Sequence, residues 1–266
     1  MGGEPTGFFK STRGVSQGDP LSPALFIIAE EVLSRGLRAL FMEGRAEYYS
    51  LPRGCPGISH SLFADDTIIF SSGLKSSLKQ ICGLINSYEG FSGQLVNKSK
   101  SYFVISEKAS NRKSLKVEGI TGFPRKRLPI TYLGEPLFSG RLRICFFNEF
   151  LAKMRNRVAG WQRRTLFSGG RVVLLKHVLA AMSIHVVSSL DIPTTIQRKF
   201  NGIYSDFLWG QSEWGKRHHW VSWSKVCAPV AEGGLGIRNL EDMTRALRLK
   251  GLWRAMTGKS LWCKFL

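Results

Sequence analysis

The chain has 266 residues and 43% apolar content, enough for one large or two modest domains with a real core. Its net charge of +19 favours association with polyanions, and counterion release makes such binding salt-dependent. No run approaches 18 uninterrupted apolar residues, so no membrane span is expected, and the start Met1-Gly2-Gly3-Glu4 lacks the features of a secretory signal. A nuclear or cytoplasmic, non-secreted protein is expected.

The first informative block is Arg13-Gly14-Val15-Ser16-Gln17-Gly18-Asp19-Pro20-Leu21-Ser22-Pro23. Locally it reads as a glycine-containing loop opening a helix over 24–41, with Asp19 as N-cap and Pro20 where a missing N–H does no harm. Leu21, Leu25, Ile28, Val32, Leu37 and Leu40 would form the apolar face. A short strand is expected over 48–51, followed by Pro- and Gly-rich turns to Gly57.

Phe63-Ala64-Asp65-Asp66 comes next, between Leu62 and Phe63 on one side and Ile68, Ile69 and Phe70 on the other. This pattern predicts a hairpin of buried strands with two carboxylates at its turn. Adjacent charges at the edge of an apolar layer are costly unless a cation neutralises them, and hard oxygens suit Mg²⁺. A solvated turn is the plainer alternative, because Asp is common in turns.

Leu74, Leu78, Ile81, Cys82, Ile85 and Tyr88 mark an amphipathic helix, and residues 102–105 a strand. Residues 107–127 are charged and poorly periodic, and read as a connection with one short strand or turn. Near residue 141 the character turns helical, which sets the main expected boundary. Phe147, Leu151, Met154, Val158 and Trp161 form one apolar stripe. Ser168-Gly169-Gly170 is expected to break that helix before a second one from Arg171 to about Val187, and a third over 196–209.

Residues 141–176 hold nine basic residues (Arg141, Arg143, Lys153, Arg155, Arg157, Arg163, Arg164, Arg171 and Lys176) against one acid, Glu149. That clustering favours a phosphate-tracking surface over a generally basic one. Residues 210–236 are turn-rich, with Trp214, Trp220 and Trp223 among Lys216, Arg217 and Lys225. These tryptophans either stack bases or pin loops to a core. A last helix spans 240–256. Five dispersed cysteines without a CxxC pair suggest neither disulfides nor a zinc ribbon, and His218-His219 with Cys227 has the wrong spacing for a zinc site.

The block from Arg13 to Pro23 followed by Phe-Ala-Asp-Asp resembles motifs B and C of reverse transcriptases, in particular those of plant non-LTR (LINE-type) retrotransposons. Asn97, Lys100 and Ser101 match that family's motif D, and Tyr132-Leu133-Gly134 resembles its primer-grip hairpin. Phe207-Leu208-Trp209-Gly210, Trp220 to Trp223 and Gly233-Gly234-Leu235-Gly236-Ile237 resemble the segment that follows the polymerase. The resemblance implies an α+β fold: a partial polymerase palm with an antiparallel hairpin sheet and helices over 1–140, then a helical thumb over 141–195 and a Trp-rich connection over 196–266.

By the same resemblance, Asp65 would ligate Mg²⁺ and Asp66 would support the metal site. Gln17 and Gly18 would shape the pocket for nucleotide and template, and Lys100 would face the triphosphate. Tyr132, Leu133 and Gly134 would position the primer end, while Arg155, Arg157, Arg163 and Arg164 would grip duplex. The implied partners are an RNA template with a DNA primer, or an RNA–DNA duplex. The family also carries a motif A carboxylate tens of residues before motif B. Only twelve residues precede Arg13 here, with Glu4 the sole acid, so this chain is expected to be an inactive fragment by itself. The alternative is a non-catalytic nucleic-acid-binding remnant of a decayed retrotransposon.

Overall fold

A computed structural model describes residues 14–15, 18–51, 53–162, 166–212, 215–216, 218–258 and 263. Gln17, Arg163, Arg164, Trp214 and Arg217 lie outside the described residues. The contacts divide the chain into two compact units, Met1–Arg127 and Leu128–Lys264. That division falls ahead of the compositional change at residue 141, so the 130–137 hairpin belongs with the helices that follow it. The fold is α+β, with helices dominant and, among the described residues, every sheet two-stranded.

In the first unit, helix α1 (Ser22–Met42) starts two residues earlier than its periodicity suggests. Asp19 is not its N-cap. The Asp19 carboxylate accepts from Leu21 N at 2.8 Å, closing the turn before the helix, and Leu21 occupies the cap position. The expected apolar face holds only in its second half. Leu33, Leu37, Leu40 and Phe41 are buried, whereas Leu21, Leu25, Ile28 and Val32 are exposed. The five-residue step from Val32 to Leu37 explains the difference, because it rotates the stripe away from the line of the earlier residues. The buried set follows the strict i, i+4, i+7, i+8 pattern instead.

That face packs on α2 (Lys75–Ser92) through Ile81 and Tyr88, with Ala46 closing the cluster. Residues 48–51 form no strand. Their loop is held by Glu47, whose N–H donates to Ser77 Oγ at 3.0 Å and whose carbonyl accepts from Ser72 N at 3.1 Å. Strands β1 (His60–Phe63) and β2 (Asp66–Ile69) form the expected antiparallel hairpin, with Phe63 opposite Asp66.

These strands are not buried as expected, since Phe63 is 60% exposed and both aspartates face solvent. Strand β3 shrinks to Phe103–Val104 and pairs in parallel with β4 (Arg125–Lys126). Between them lies α3 (Asn111–Thr121), where no helix was expected. Ser110 caps it by accepting from Lys113 N, and Ser114 and Val117 are buried where it packs on α2. A stripe this short, with Ser as one member, leaves almost no apolar period to detect.

The second unit opens with the hairpin β5 (Ile130–Tyr132) and β6 (Glu135–Leu137). A 3₁₀ turn, Ile144–Phe147, leads into α4 (Asn148–Gln162), whose Leu151, Met154 and Val158 are buried as the stripe required. Ser168-Gly169-Gly170 does not precede the next helix but forms its first turn. α5 (Ser168–Leu174), a π-turn (Leu175–Leu179) and α6 (Ala180–Ser189) run continuously. At the π-turn, Ala180 N–H donates five residues back to Leu175 O.

This 22-residue helix is long and apolar enough to cross a membrane by length and composition alone. However, Leu175, Leu179, Val186 and Val187 face the unit's own core, and Arg171, Lys176, His177 and His185 interrupt it. It is read as a core helix. Against it lies α7 (Thr194–Trp209), which buries Ile196, Phe200, Ile203, Tyr204, Phe207 and Leu208. The Tyr204 hydroxyl sits 2.6 Å from Ser183 Oγ and 3.2 Å from Leu179 O, and burial pushes its phenol well above the usual range.

Hairpin β7 (Gln211–Ser212) and β8 (Gly215–Lys216), the short α8 (Trp223–Cys227), a 3₁₀ turn (Val230–Glu232) and α9 (Leu240–Thr257) complete the unit. Trp209 and Trp223 pack against the core, Trp223 with its ring 6.1 Å from that of Tyr204. The loop-pinning role therefore holds for Trp223, whereas Trp220 is exposed.

Local stability should follow this division of buried contacts. Hydrogen exchange on the whole chain should be faster across residues 60–69 than across residues 147–158. Equal protection would mean that something covers the strands of the aspartate hairpin.

Candidate functional site

Asp65 and Asp66 sit at and beside a two-residue loop, Ala64-Asp65, and Asp66 begins β2. Ala64 adopts φ +48°, a left-handed conformation that a non-glycine residue rarely takes. Such strain, of order 1–3 kcal/mol, persists where the surroundings over-determine it and often accompanies function. Here it turns the chain tightly enough to present both carboxylates at the tip. Neither carboxylate has a hydrogen bond or ion pair among the described residues, so their oxygens are open to a ligand.

The hairpin is anchored on α1 at its other end. His60 shares hydrogen bonds of 2.8 Å with Ser34 on α1 and with its neighbour Ser59. Burial, reinforced by the charge of Arg38, holds the His60 ring below its ordinary value, so it stays neutral near pH 7.

A third carboxylate, which belongs to no motif, approaches from α1. Glu30 accepts from the Tyr88 hydroxyl at 3.3 Å, while its Oε2 is buried without a hydrogen-bond partner. Burial raises its carboxyl above the usual range. The Tyr88 hydrogen bond opposes that rise, and the charge of Asp65 adds to it. Detecting Glu30 required knowing that α1 packs beside the hairpin; a lone Glu on a helix carries no signal. The single Tyr88 hydroxyl proton is shared with Gln94 Oε1, which lies closer, at 2.8 Å.

These donors suit a hard cation shared with substrate phosphates, because Mg²⁺ is usually held by one or two carboxylates plus phosphate oxygens. They do not complete a two-ion clamp by themselves. Among the described residues, no group of three His, Cys, Asp or Glu side chains is arranged to hold a metal.

Gly18 has φ +93°, a region where a Cβ would be strained although the surrounding space is open. Its value is therefore conformational, and no close neighbour in this structure demands a glycine. Asn97 shapes the loop that carries Lys100. Its Oδ1 accepts from Ser99 N at 3.1 Å and from the Ser99 hydroxyl at 2.6 Å, and its carbonyl accepts from Lys100 N at 3.1 Å. The Lys100 side chain is exposed and has no ion pair among the described residues.

In the second unit, Leu133 and Gly134 form the loop between Tyr132 and Glu135, with φ of +49° and +85°. Two left-handed residues in a two-residue loop make a tight hairpin turn that matches strand twist. His185 of α6 donates through Nε2 to Leu133 O at 2.9 Å and lies 3.5 Å from Glu135 Oε1. The histidine therefore fixes the loop from the helix side.

The basic segment is only partly a single surface. Arg141, Arg143, Lys153, Arg155 and Arg157 are exposed, although Lys153 pairs with Glu149 at 3.0 Å. Arg171 and Lys176 are half-buried, lying against Gly210 and Gly236 respectively, and do not join them.

Comparison with known proteins points one way. A family model described as reverse transcriptase (RNA-dependent DNA polymerase) matches residues 1–137. A protein of Arabidopsis thaliana named for ribonuclease H is 40% identical over 128 residues, covering 48% of this chain and 21% of that protein. A retrovirus-related Pol polyprotein from a type-1 retrotransposable element R2 of Nasonia vitripennis is 26% identical over 243 residues, or 88% of this chain and 22% of that protein. An uncharacterized Arabidopsis thaliana mitochondrial protein is 46% identical over 67 residues, covering 25% of this chain and 55% of that protein. The chain thus spans about a fifth of the length of the first two relatives.

The raised Glu30 carboxyl makes a pH-dependent contribution to stability. That contribution is full below the unfolded-state value and is lost as pH rises through the folded one. Replacing Glu30→Gln should raise the melting temperature relative to the parent at pH 7. The gap should close below about pH 4, where both side chains are neutral. A gap that does not change with pH would remove Glu30 from the electrostatics of the hairpin.

Proposed function

Because this chain belongs to the reverse transcriptase family, we propose that it is part of the RNA-directed DNA polymerase of a LINE-like retroelement. One observation carries the reading: within the matched region, a strained two-residue turn presents Asp65 and Asp66 as unpaired adjacent carboxylates. The resemblance to an R2 element polyprotein over 88% of the chain supports extending it beyond the matched half.

On this reading residues 1–140 are a partial palm whose last hairpin, 130–137, packs with the unit that follows, 141–195 a thumb and 196–266 a connection. The turn aspartates are the residues to hold Mg²⁺, which when bound neutralises charge on the transferred phosphates. Gly18, with Gln17, shapes the floor of the nucleotide pocket. The loop folded by Asn97 presents Lys100 toward a triphosphate, where an unpaired ammonium balances charge or supplies a proton to leaving pyrophosphate. Tyr132, Leu133 and Gly134 seat the primer end, and His185 keeps their turn in one geometry. Arg155 and Arg157, with Arg163 and Arg164, follow duplex phosphates. Positioning and electrostatics account for most of what a protein contributes to this chemistry.

A second reading, a non-catalytic nucleic-acid-binding remnant, draws support from the absence of a third carboxylate, His or Cys completing a metal site among the described residues. The two readings separate in a primer-extension assay. The 266-residue polypeptide, given an RNA template, an annealed DNA primer and Mg²⁺, should yield no product above a no-protein control. Template-dependent extension abolished by Asp65→Ala would overturn that expectation and establish a complete site.

Duplex binding should nevertheless persist, fall steeply with salt and vary little with sequence. Reversing Arg155, Arg157, Arg163 and Arg164 to Glu should weaken it at least tenfold in a filter-binding or anisotropy titration. Unchanged affinity would remove the thumb from the proposal.

A further inference from the structure

Helix α3 and the segments beside it carry more positive charge than the first unit uses. Residues 106–127 hold seven basic residues against two acids, Glu107 and Glu118. Ser114 and Val117 turn one side of α3 towards α2, so Arg112 and Lys116, one turn apart, lie on the side away from it. Both are exposed, as are Lys113 on the flank and Lys108 in the turn before the helix. Leu115, 68% exposed, is the single apolar residue on that outer side.

Strand β4 brings further cations to the same end of the helix. Arg125 donates through Nη2 to Ser106 O at 3.4 Å. That carbonyl also accepts from Ala109 N at 3.0 Å, within the turn that leads to the Ser110 cap. Lys126, next in the strand, holds its Nζ 4.0 Å from the centre of the Tyr102 ring.

This arrangement works against the helix that carries it. Like charges at i and i+4, as Arg112 and Lys116 are, repel each other, and bases in a first turn oppose the helix dipole. The one acid of α3, Glu118, stands towards its other end. None of Lys108, Arg112, Lys113 and Lys116 has an acidic partner among the described residues. Repulsion left standing inside the unit is relieved by an anion from outside it.

We propose that this face of the first unit is a second phosphate-binding surface, which grips the backbone of a bound nucleic acid independently of the thumb arginines. The choice of nucleic acid as the polyanion rests on the polymerase reading. A protein partner would need apolar anchors, and Leu115 alone does not supply them. A sugar-phosphate backbone needs closely spaced cations, and the planar fork of an arginine can hold two phosphate oxygens at once. Contacts of this kind fix position and carry no sequence information.

The probes are a fluorescein-labelled RNA of about 20 nucleotides and the same strand annealed to DNA, titrated with the 266-residue chain at several salt concentrations. The parent should bind at least one of them. Reversing Arg112 and Lys116 to Glu should weaken that binding about fivefold or more, and lower its salt dependence by about one power of salt per lost contact. Arg112→Gln with Lys116→Gln should lower the salt dependence equally. The Gln variant should match or exceed the parent's melting temperature, because it removes repulsion from an exposed face. Arg198→Glu with Lys199→Glu, exposed on α7, makes the same change of net charge as the α3 reversal and should leave the salt dependence as in the parent.

A loss with the duplex alone would put paired strands on α3, and a loss with the single strand alone would put unpaired RNA there; either supports the surface. Parent-like affinity and salt dependence in both α3 variants would overturn it, while the polymerase reading would stand if the fourfold thumb reversal still lost binding. An equal loss in the α7 variant would reduce the effect to net charge and overturn the surface as well. A parent that binds neither probe would overturn the polymerase reading and this surface together.

Discussion

The second unit depends on how the Tyr204 hydroxyl meets the long helix that faces it. A phenol with little solvent around it must find partners, because a buried polar atom left unpaired costs about 1–3 kcal/mol. It finds them at Leu179 O and Ser183 Oγ, at and just beyond the π-turn. The wide turn and the hydroxyl together fix the rotation of α6 relative to α7. That rotation aims His185 at the 133–134 loop and sets Val186 and Val187 into the core. A change at Tyr204 would therefore be felt at the hairpin, through one helix and one imidazole, without any direct contact between them.

The first unit is organised by a weaker balance. Its core is confined to the second half of α1, the facing side of α2 and Ala46. The aspartate hairpin is attached by Ile69, which packs on that core, and by His60 and Ser34 at its base, while the carboxylates at its tip have no hydrogen bond or ion pair among the described residues. Two open carboxylates, with Glu30 raised chiefly by burial and further by the charge of Asp65, make a locally negative spot in a strongly basic chain. Cations are concentrated at such a spot whether or not a full ligand set is present.

How much of this was legible in the sequence can be judged residue by residue. The aspartate hairpin, α2, α4, α7 and α9 were readable because their apolar periods are long or their turns are short. Helix α3 was not, since a charged helix with Ser114 and Val117 as its buried members has no period to see. Half of the expected face on α1 was misassigned because one five-residue step rotates the stripe, and a list of apolar positions does not register rotation.

The site was legible as chemistry and not as geometry. Asp65, Asp66 and Lys100 carry their functional groups in their names, whereas Glu30 and His185 matter only through which element packs beside them. The π-turn was invisible for the same reason. Nothing in Leu175-Lys176-His177-Val178-Leu179 announces a fifth residue in the turn.

The strained turn at Ala64 also limits what evolution can do there. A residue at φ +48° pays least if it is glycine, more if it carries an unbranched side chain, and most if it is branched at Cβ. The mutational alphabet at this position is therefore set by backbone sterics, with glycine, alanine, asparagine and aspartate inside it and valine, isoleucine and threonine outside. Length is constrained as well. One inserted residue in so short a loop would shift the pairing of β2 and carry Asp66 to the other face of the hairpin. Drift in this part of the chain is thus confined to a few side chains at constant length, even if nothing selects for catalysis.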